Sequence, residues 1–153
     1  MKTRLAMLSC LLLGLAACSR SGAAEPSFAP GLGEIMTLTQ MRHVKLWLAG
    51  TNENWPLAKY ELDELQEGMD DAAKFHPTHK KVPIPKLIDA FVKGPLDQLE
   101  GAVKAQDREQ FVKAFDALTQ GCNACHQATA FGFNVVTRPV GNPYANQAFR
   151  PAR

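Results

Sequence analysis

The sequence predicts an all-α fold, an antiparallel up-and-down four-helix bundle closed by an extended C-terminal strap. Three observations predict it. Apolar residues recur with helical period in four stretches between Leu32 and Phe131. Short connections marked by Gly, Asn and Pro join these stretches, which favours antiparallel neighbours. No run alternates apolar with polar residues as a half-buried strand would, and no segment repeats, so sheets and solenoids are disfavoured.

The chain divides into residues 1–17, a signal peptide; 18–31, a flexible tether; 32–131, the helical domain; and 132–153, an extended tail. In the signal, Lys2 and Arg4 form a charged start, and Leu5 to Ala16 is apolar but too short for a comfortable membrane span. Its end, Leu15–Ala16–Ala17–Cys18, resembles the lipobox of bacterial lipoproteins, in which cleavage precedes a cysteine that is lipidated. Ser19 after Cys18 favours an outer-membrane anchor by the same resemblance. The expected location is therefore the periplasm, with the membrane reached through the lipid; the alternative is an ordinary cleaved signal that contains cysteines. The next stretch, SRSGAAEPSFAP, is small and polar and suits a tether.

Cleavage before Cys18 leaves 136 residues, the size of one domain that buries roughly two-thirds of its unfolded surface. It also removes Lys2 and Arg4, so 17 basic residues fall to 15 against 15 acidic ones. The remaining chain is near neutral and carries no basic stripe, which disfavours nucleic acid as a partner. With Cys10 in the signal and Cys18 assigned to lipid, only Cys122 and Cys125 remain in the domain, too few for a disulfide framework.

In the first helix, Ile35, Leu38, Arg42, Leu46 and Ala49 alternate with Met36, Gln40, His43 and Trp47 and end at Gly50. Asn52 or Asn54 caps the second, with Pro56 in its first turn and Leu62, Leu65, Met69 and Ala72 on its stripe. The acidic residues Glu61, Asp63, Glu64, Glu67, Asp70 and Asp71 lie mostly outside that stripe and read as a solvated face. Residues 76–85, HPTHKKVPIP, hold three prolines and read as a loop; His76 and His79 there read as no more than an adventitious metal pair. The third helix carries Leu87, Ile88, Phe91, Val92, Leu96, Leu99 and Val103, and Gly94–Pro95 predicts a kink or restart within it. Asp107 caps the fourth, with Phe111, Ala114, Phe115, Leu118, Cys122 and Cys125 along its inner face.

The chemistry is concentrated at the end of that last helix, in Gly121–Cys122–Asn123–Ala124–Cys125–His126. C-x-x-C-H is the attachment signature of a c-type haem. On a helix the two cysteines are three apart and His126 is four from Cys122, so both thioether links and the proximal iron ligand reach one side. The competing readings are a dithiol, a disulfide or half a zinc site. One covalent haem c is the expected cofactor.

A C-x-x-C-H on the last of four predicted helices resembles the class II c-type cytochromes, the cytochrome c prime group, over about Leu32 to Phe131. The stretches QMRHVKLWLAG, NWPLAKYELDELQEG and CNACHQATAFGFNVV also resemble exported bacterial proteins with a single haem motif. The resemblance implies Cys122 and Cys125 as thioether residues and His126 as proximal ligand, and it places the distal side on the first helix. Met36, His43 and Trp47 share a face there. Met36 is favoured by its early position in that helix and His43 by imidazole chemistry; an open distal site is the third alternative. Trp47, Phe111, Phe115 and Phe131 are expected to pack at the haem edge or pocket wall. The basic residue that class II proteins carry shortly after the motif histidine is absent from HQATAFGF, leaving Arg42, Lys45 or Arg138 for the propionates.

The expected function is one-electron transfer by a lipid-anchored monohaem cytochrome, with periplasmic redox proteins as partners. Class II proteins often pair through their first helices, so a homodimer is a further expected partner. The alternative is a five-coordinate haem that binds nitric oxide or carbon monoxide as sensor or scavenger. No catalytic residues are assigned, since a peroxidase-like role would rest on His43 alone.

Overall fold

The computed structural model describes residues 28–152. The signal peptide expected over residues 1–17, the expected lipidation of Cys18 and most of the expected tether lie outside the described residues. Five helices form, α1 (Leu32–Thr51), α2 (Trp55–Phe75), α3 (Ile84–Phe91), α4 (Lys93–Ala105) and α5 (Arg108–Ala128), together with a two-stranded ribbon of β1 (Thr78–His79) and β2 (Val82–Pro83). The protein is therefore mostly helical, as the apolar periodicity predicts. No helix among the described residues is long and apolar enough to cross a membrane.

Capping chemistry sets the boundaries. Asn54, rather than Asn52, caps α2 by accepting from the Leu57 amide at 3.4 Å, with Pro56 in the first turn where its missing N–H is harmless. Asp107 accepts from the amides of Glu109 at 2.9 Å and Gln110 at 3.0 Å, and so starts α5. Between α4 and α5 the chain reverses through Gln106 in the left-handed region.

The third predicted helix divides into α3 and α4 at Val92, upstream of Gly94–Pro95. Pro95 has no N–H for the Phe91 carbonyl four residues earlier, and its ring crowds that carbonyl, so the helix parts there and restarts with Pro95 in the first turn of α4. The released Phe91 oxygen lies against α5 at Gly121. A β-carbon at position 121 would stand 2.1 Å from it, so only glycine permits this approach. Gly50 plays the same part for the Phe111 ring, which would meet a β-carbon at 2.1 Å.

α1 packs chiefly along α2, and α4 along α5; α2 joins the two pairs through α4, while α1 and α5 touch more sparingly. The main core gathers Leu46, Leu62, Leu65, Leu99, Phe111, Phe115 and Leu118, each burial worth about 1.5–3 kcal/mol. Phe149 of the tail enters the same core, so the C-terminal segment is part of the packed structure. Ile35, Ala72 and Ile84 form a smaller cluster at the end nearer the ribbon.

Two expectations need correction. On α1 the buried stripe runs through Ile35, Thr39, His43 and Leu46, whereas Leu38 is 59% exposed. The shift is tolerable because Thr39 donates to the Ile35 carbonyl at 2.9 Å and His43 bonds to Thr119 at 2.9 Å, so neither buried polar group lacks a partner. On α2, Glu61 is 1% exposed rather than solvated. Arg42 reaches across from α1 to bridge Glu61 at 3.1 Å and Glu64 at 2.7 Å. Burial, together with the nearby Glu61 carboxylate, raises the Tyr144 hydroxyl above its ordinary pKa.

Removing one partner of such a pair leaves a buried charge alone, which costs about 3–5 kcal/mol, whereas removing both costs far less. Arg42→Met should therefore lower stability by about that amount, and Glu61→Gln added to it should recover most of the loss. A denaturant double-mutant cycle measures this; simple additivity of the two losses would contradict the pairing.

Candidate functional site

The end of α5, the first half of α1, α2, α3, the ribbon and the first part of the tail surround a mostly apolar cavity of about 280 Å³. That is near the lower end of the roughly 300–1,000 Å³ usual for ligand pockets. Cys122, Cys125 and His126 all line it, so the motif's helical phase does bring its three reactive side chains to one space. Met36 and His43 line it from α1. Trp47 and Phe115 do not: Phe115 is fully buried behind His43, ring centroids 4.3 Å apart, and Trp47 packs on Phe115 at 4.8 Å. Phe111 is likewise core, edge-on to Trp55, whereas Phe131 does reach the cavity.

The motif is tied to the tail by side chains that project from α5. Asn123, between the two cysteines, donates through Nδ2 to the Val136 carbonyl at 2.9 Å and accepts the Val136 amide at Oδ1 at 2.8 Å. This reproduces a backbone pairing with one side-chain amide. His126 donates through Nδ1 to the Asn134 carbonyl at 2.6 Å. A carbonyl can only accept, so in the neutral ring Nε2 keeps its lone pair. The Phe131 amide returns to the His126 carbonyl at 2.7 Å and the Asn134 amide to the Phe131 carbonyl at 2.8 Å, which turns the chain back along the helix.

Both thiols are free. Burial pushes the Cys122 thiol up to about 12 and raises Cys125 as well, so both are protonated at neutral pH. A dithiol redox centre or a zinc site uses thiolates, and this environment opposes them. No group of three or more His, Cys, Asp or Glu side chains among the described residues is arranged to hold a metal ion. The apolar surroundings instead suit thioether sulfur, and a histidine with one nitrogen anchored by a backbone carbonyl is the usual arrangement of a metal-ligating imidazole. The chemistry of Cys122, Cys125 and His126 therefore suits two thioether links and a metal-ligating imidazole, the donor set of a covalently attached haem.

His43 is buried, and burial lowers its pKa to about 4, so it is neutral. Thr119 donates its hydroxyl proton to the Phe115 carbonyl at 2.9 Å, which assigns the proton of the His43–Thr119 bond to His43 Nε2. His43 thus ties α1 to α5 with that nitrogen. Met36 needs no such partner and is partly buried against both core clusters.

None of the three suggested propionate partners lines the cavity. Arg42 is held by Glu61 and Glu64, Lys45 lies 5.0 Å from the Tyr144 ring centroid, and Arg138 pairs with Asp116 on α5 while its guanidinium sits 5.0 Å from the Trp47 ring centroid. His76 and His79 also part company. His76 donates to the Pro30 carbonyl at 2.8 Å, tying α2 to the chain before α1, whereas His79 turns to the cavity wall. No sequence signal marked the ribbon that carries His79, because its turn residues are Lys80–Lys81 rather than Asn-Gly or Asp-Gly.

Comparison with protein-family models, curated proteins and solved structures gives no match for this chain.

Two outcomes follow. Asn123→Ala removes both bonds to Val136 and should cost about 1–3 kcal/mol, with faster amide hydrogen exchange at Val136 and Asn134. Unchanged exchange there would mean that the tail is held by its other contacts. For His43, the folded-state pKa lies below the unfolded value near 6.5, so the unfolded chain binds the extra proton between these values. Its contribution is present above pH 6.5 and is lost as pH falls toward 4, by about 3 kcal/mol in all. His43→Leu should flatten that part of a stability-against-pH curve.

Proposed function

We propose that this chain is a monohaem c-type cytochrome of the class II kind, tethered by lipid in the periplasm and carrying single electrons between redox proteins. On this reading α1, α2, the α3–α4 pair and α5 are the four members of an up-and-down bundle, with the tail as its strap. The observation that carries the proposal is the convergence of Cys122, Cys125 and His126 on one apolar cavity, with His126 Nδ1 already bonded to the Asn134 carbonyl.

Cys122 and Cys125 would hold the haem by two thioethers and His126 would ligate its iron through Nε2. The haem would supply a one-electron ferric–ferrous couple at a potential set by its ligands and its surroundings. The chain's own work is positional. Asn134 fixes the plane and tautomer of His126, Asn123 holds the strap that carries Asn134, and Val136 and Phe131 help to exclude water from the cavity. No proton donor or acceptor poised for substrate chemistry is required for such a carrier.

Export with the cytochrome c maturation machinery should give a coloured protein whose haem stays attached on denaturation. Cys122→Ala together with Cys125→Ala should abolish the attachment. A colourless wild-type protein would overturn the proposal. Tight binding of carbon monoxide to the reduced protein with no protein ligand to displace would favour the gas-binding alternative.

A further inference from the structure

The ribbon holds a polar atom that the fold leaves without a partner. His79 Nε2 is buried, and among the described residues it is the one buried side-chain nitrogen or oxygen with no hydrogen bond. Buried imidazole nitrogens are nearly always satisfied, so the exception asks for a partner that the protein chain does not supply. His79 lines the same cavity as Cys122, Cys125 and His126. His76, three residues earlier, shows that this segment satisfies a histidine where a carbonyl is in reach.

The hairpin turn next to His79 is also defined. His79 pairs with Val82 across a two-residue turn in which both Lys80 and Lys81 are left-handed, φ 48° and 70°. Non-glycine residues rarely adopt that conformation, and two in succession are a strained arrangement that the surroundings must hold. The turn is held by Phe131, whose ring lies 5.3 Å from the His79 ring and 4.8 Å from Lys80 Nζ. Phe131 in turn is fixed by its amide bond to the His126 carbonyl. His79 and His126 are thus coupled through one aromatic residue. The α1 candidates differ on this point: His43 Nε2 is bonded to Thr119, and a thioether such as Met36 is at rest in an apolar wall without any ligand.

We propose that His79, from the ribbon and not from the first helix, supplies the second axial nitrogen to the haem iron. The assignment rests on the haem reading above. It makes the iron six-coordinate and low-spin, with two imidazoles rather than imidazole and thioether.

The test uses the full-length protein exported with the maturation machinery, studied by absorption, near-infrared and electron paramagnetic resonance spectroscopy. The wild type should be low-spin with the signature of two nitrogen ligands and without a sulfur-to-iron charge-transfer band. His79→Gly should become high-spin and return to low-spin on addition of imidazole, a rescue that a misfolded variant would not show. Met36→Leu should leave the spectrum unchanged. If haem is attached but the wild type is high-spin, or if its spectrum ignores His79→Gly, the assignment is wrong and the haem reading stands. If Met36→Leu produces the high-spin form, the ligand is Met36 and the assignment is likewise wrong. A wild type without attached haem removes both.

Discussion

The hydrogen bonds between α5 and residues 131–136 are the constraint on which the cavity depends. A helix end alone would offer two thiols and an imidazole to solvent. With the tail folded back, Asn123 and His126 each hold a backbone group of the returning chain, and Phe131, Asn134 and Val136 become wall. The two Asn123 bonds are partly shielded from water, so they hold against solvent once the tail is in place. Phe149, buried in the main core, and Arg138, between Asp116 and the Trp47 ring, keep it there. Orientation of one histidine thus draws on contacts spread over the last part of the chain.

Polar groups inside this helical domain fall into two kinds. Arg42 with Glu61, and His43 with Thr119, join neighbouring helices and are internally satisfied. They tie α1 to α2 and to α5 respectively. His79 belongs to neither kind, since its Nε2 is buried without a hydrogen-bond partner while the residue lines the cavity.

Much of this was legible in the sequence. Helical periodicity, Asp107, Pro56 and the break near Pro95 announced the helices, because propensity and capping act over a few residues. The shared space of Cys122, Cys125 and His126 followed from helical phase alone. Long-range exchanges were not legible. Leu38 is exposed although it lies in the apolar pattern, the His43 nitrogen is bonded to Thr119, far along the chain, and Glu61 is buried because Arg42 comes to meet it. The part played by Asn123 was hidden in a position that the motif leaves free. His79 was passed over because two lysines do not advertise a hairpin turn, and a loop histidine carries no periodicity to betray its direction.

The contact between Phe91 and Gly121 has a mechanical meaning. Successive residues of an α-helix are separated by about 100° of rotation, so a small roll of α5 about its axis would carry the cysteines away from the cavity. The Phe91 oxygen, left free by Pro95, sits in the notch where residue 121 has no side chain. It acts as a key in a keyway, setting the angular position of the helix one residue before the first thiol. A proline twenty-seven residues upstream of Cys122 thereby governs the bearing of the whole motif.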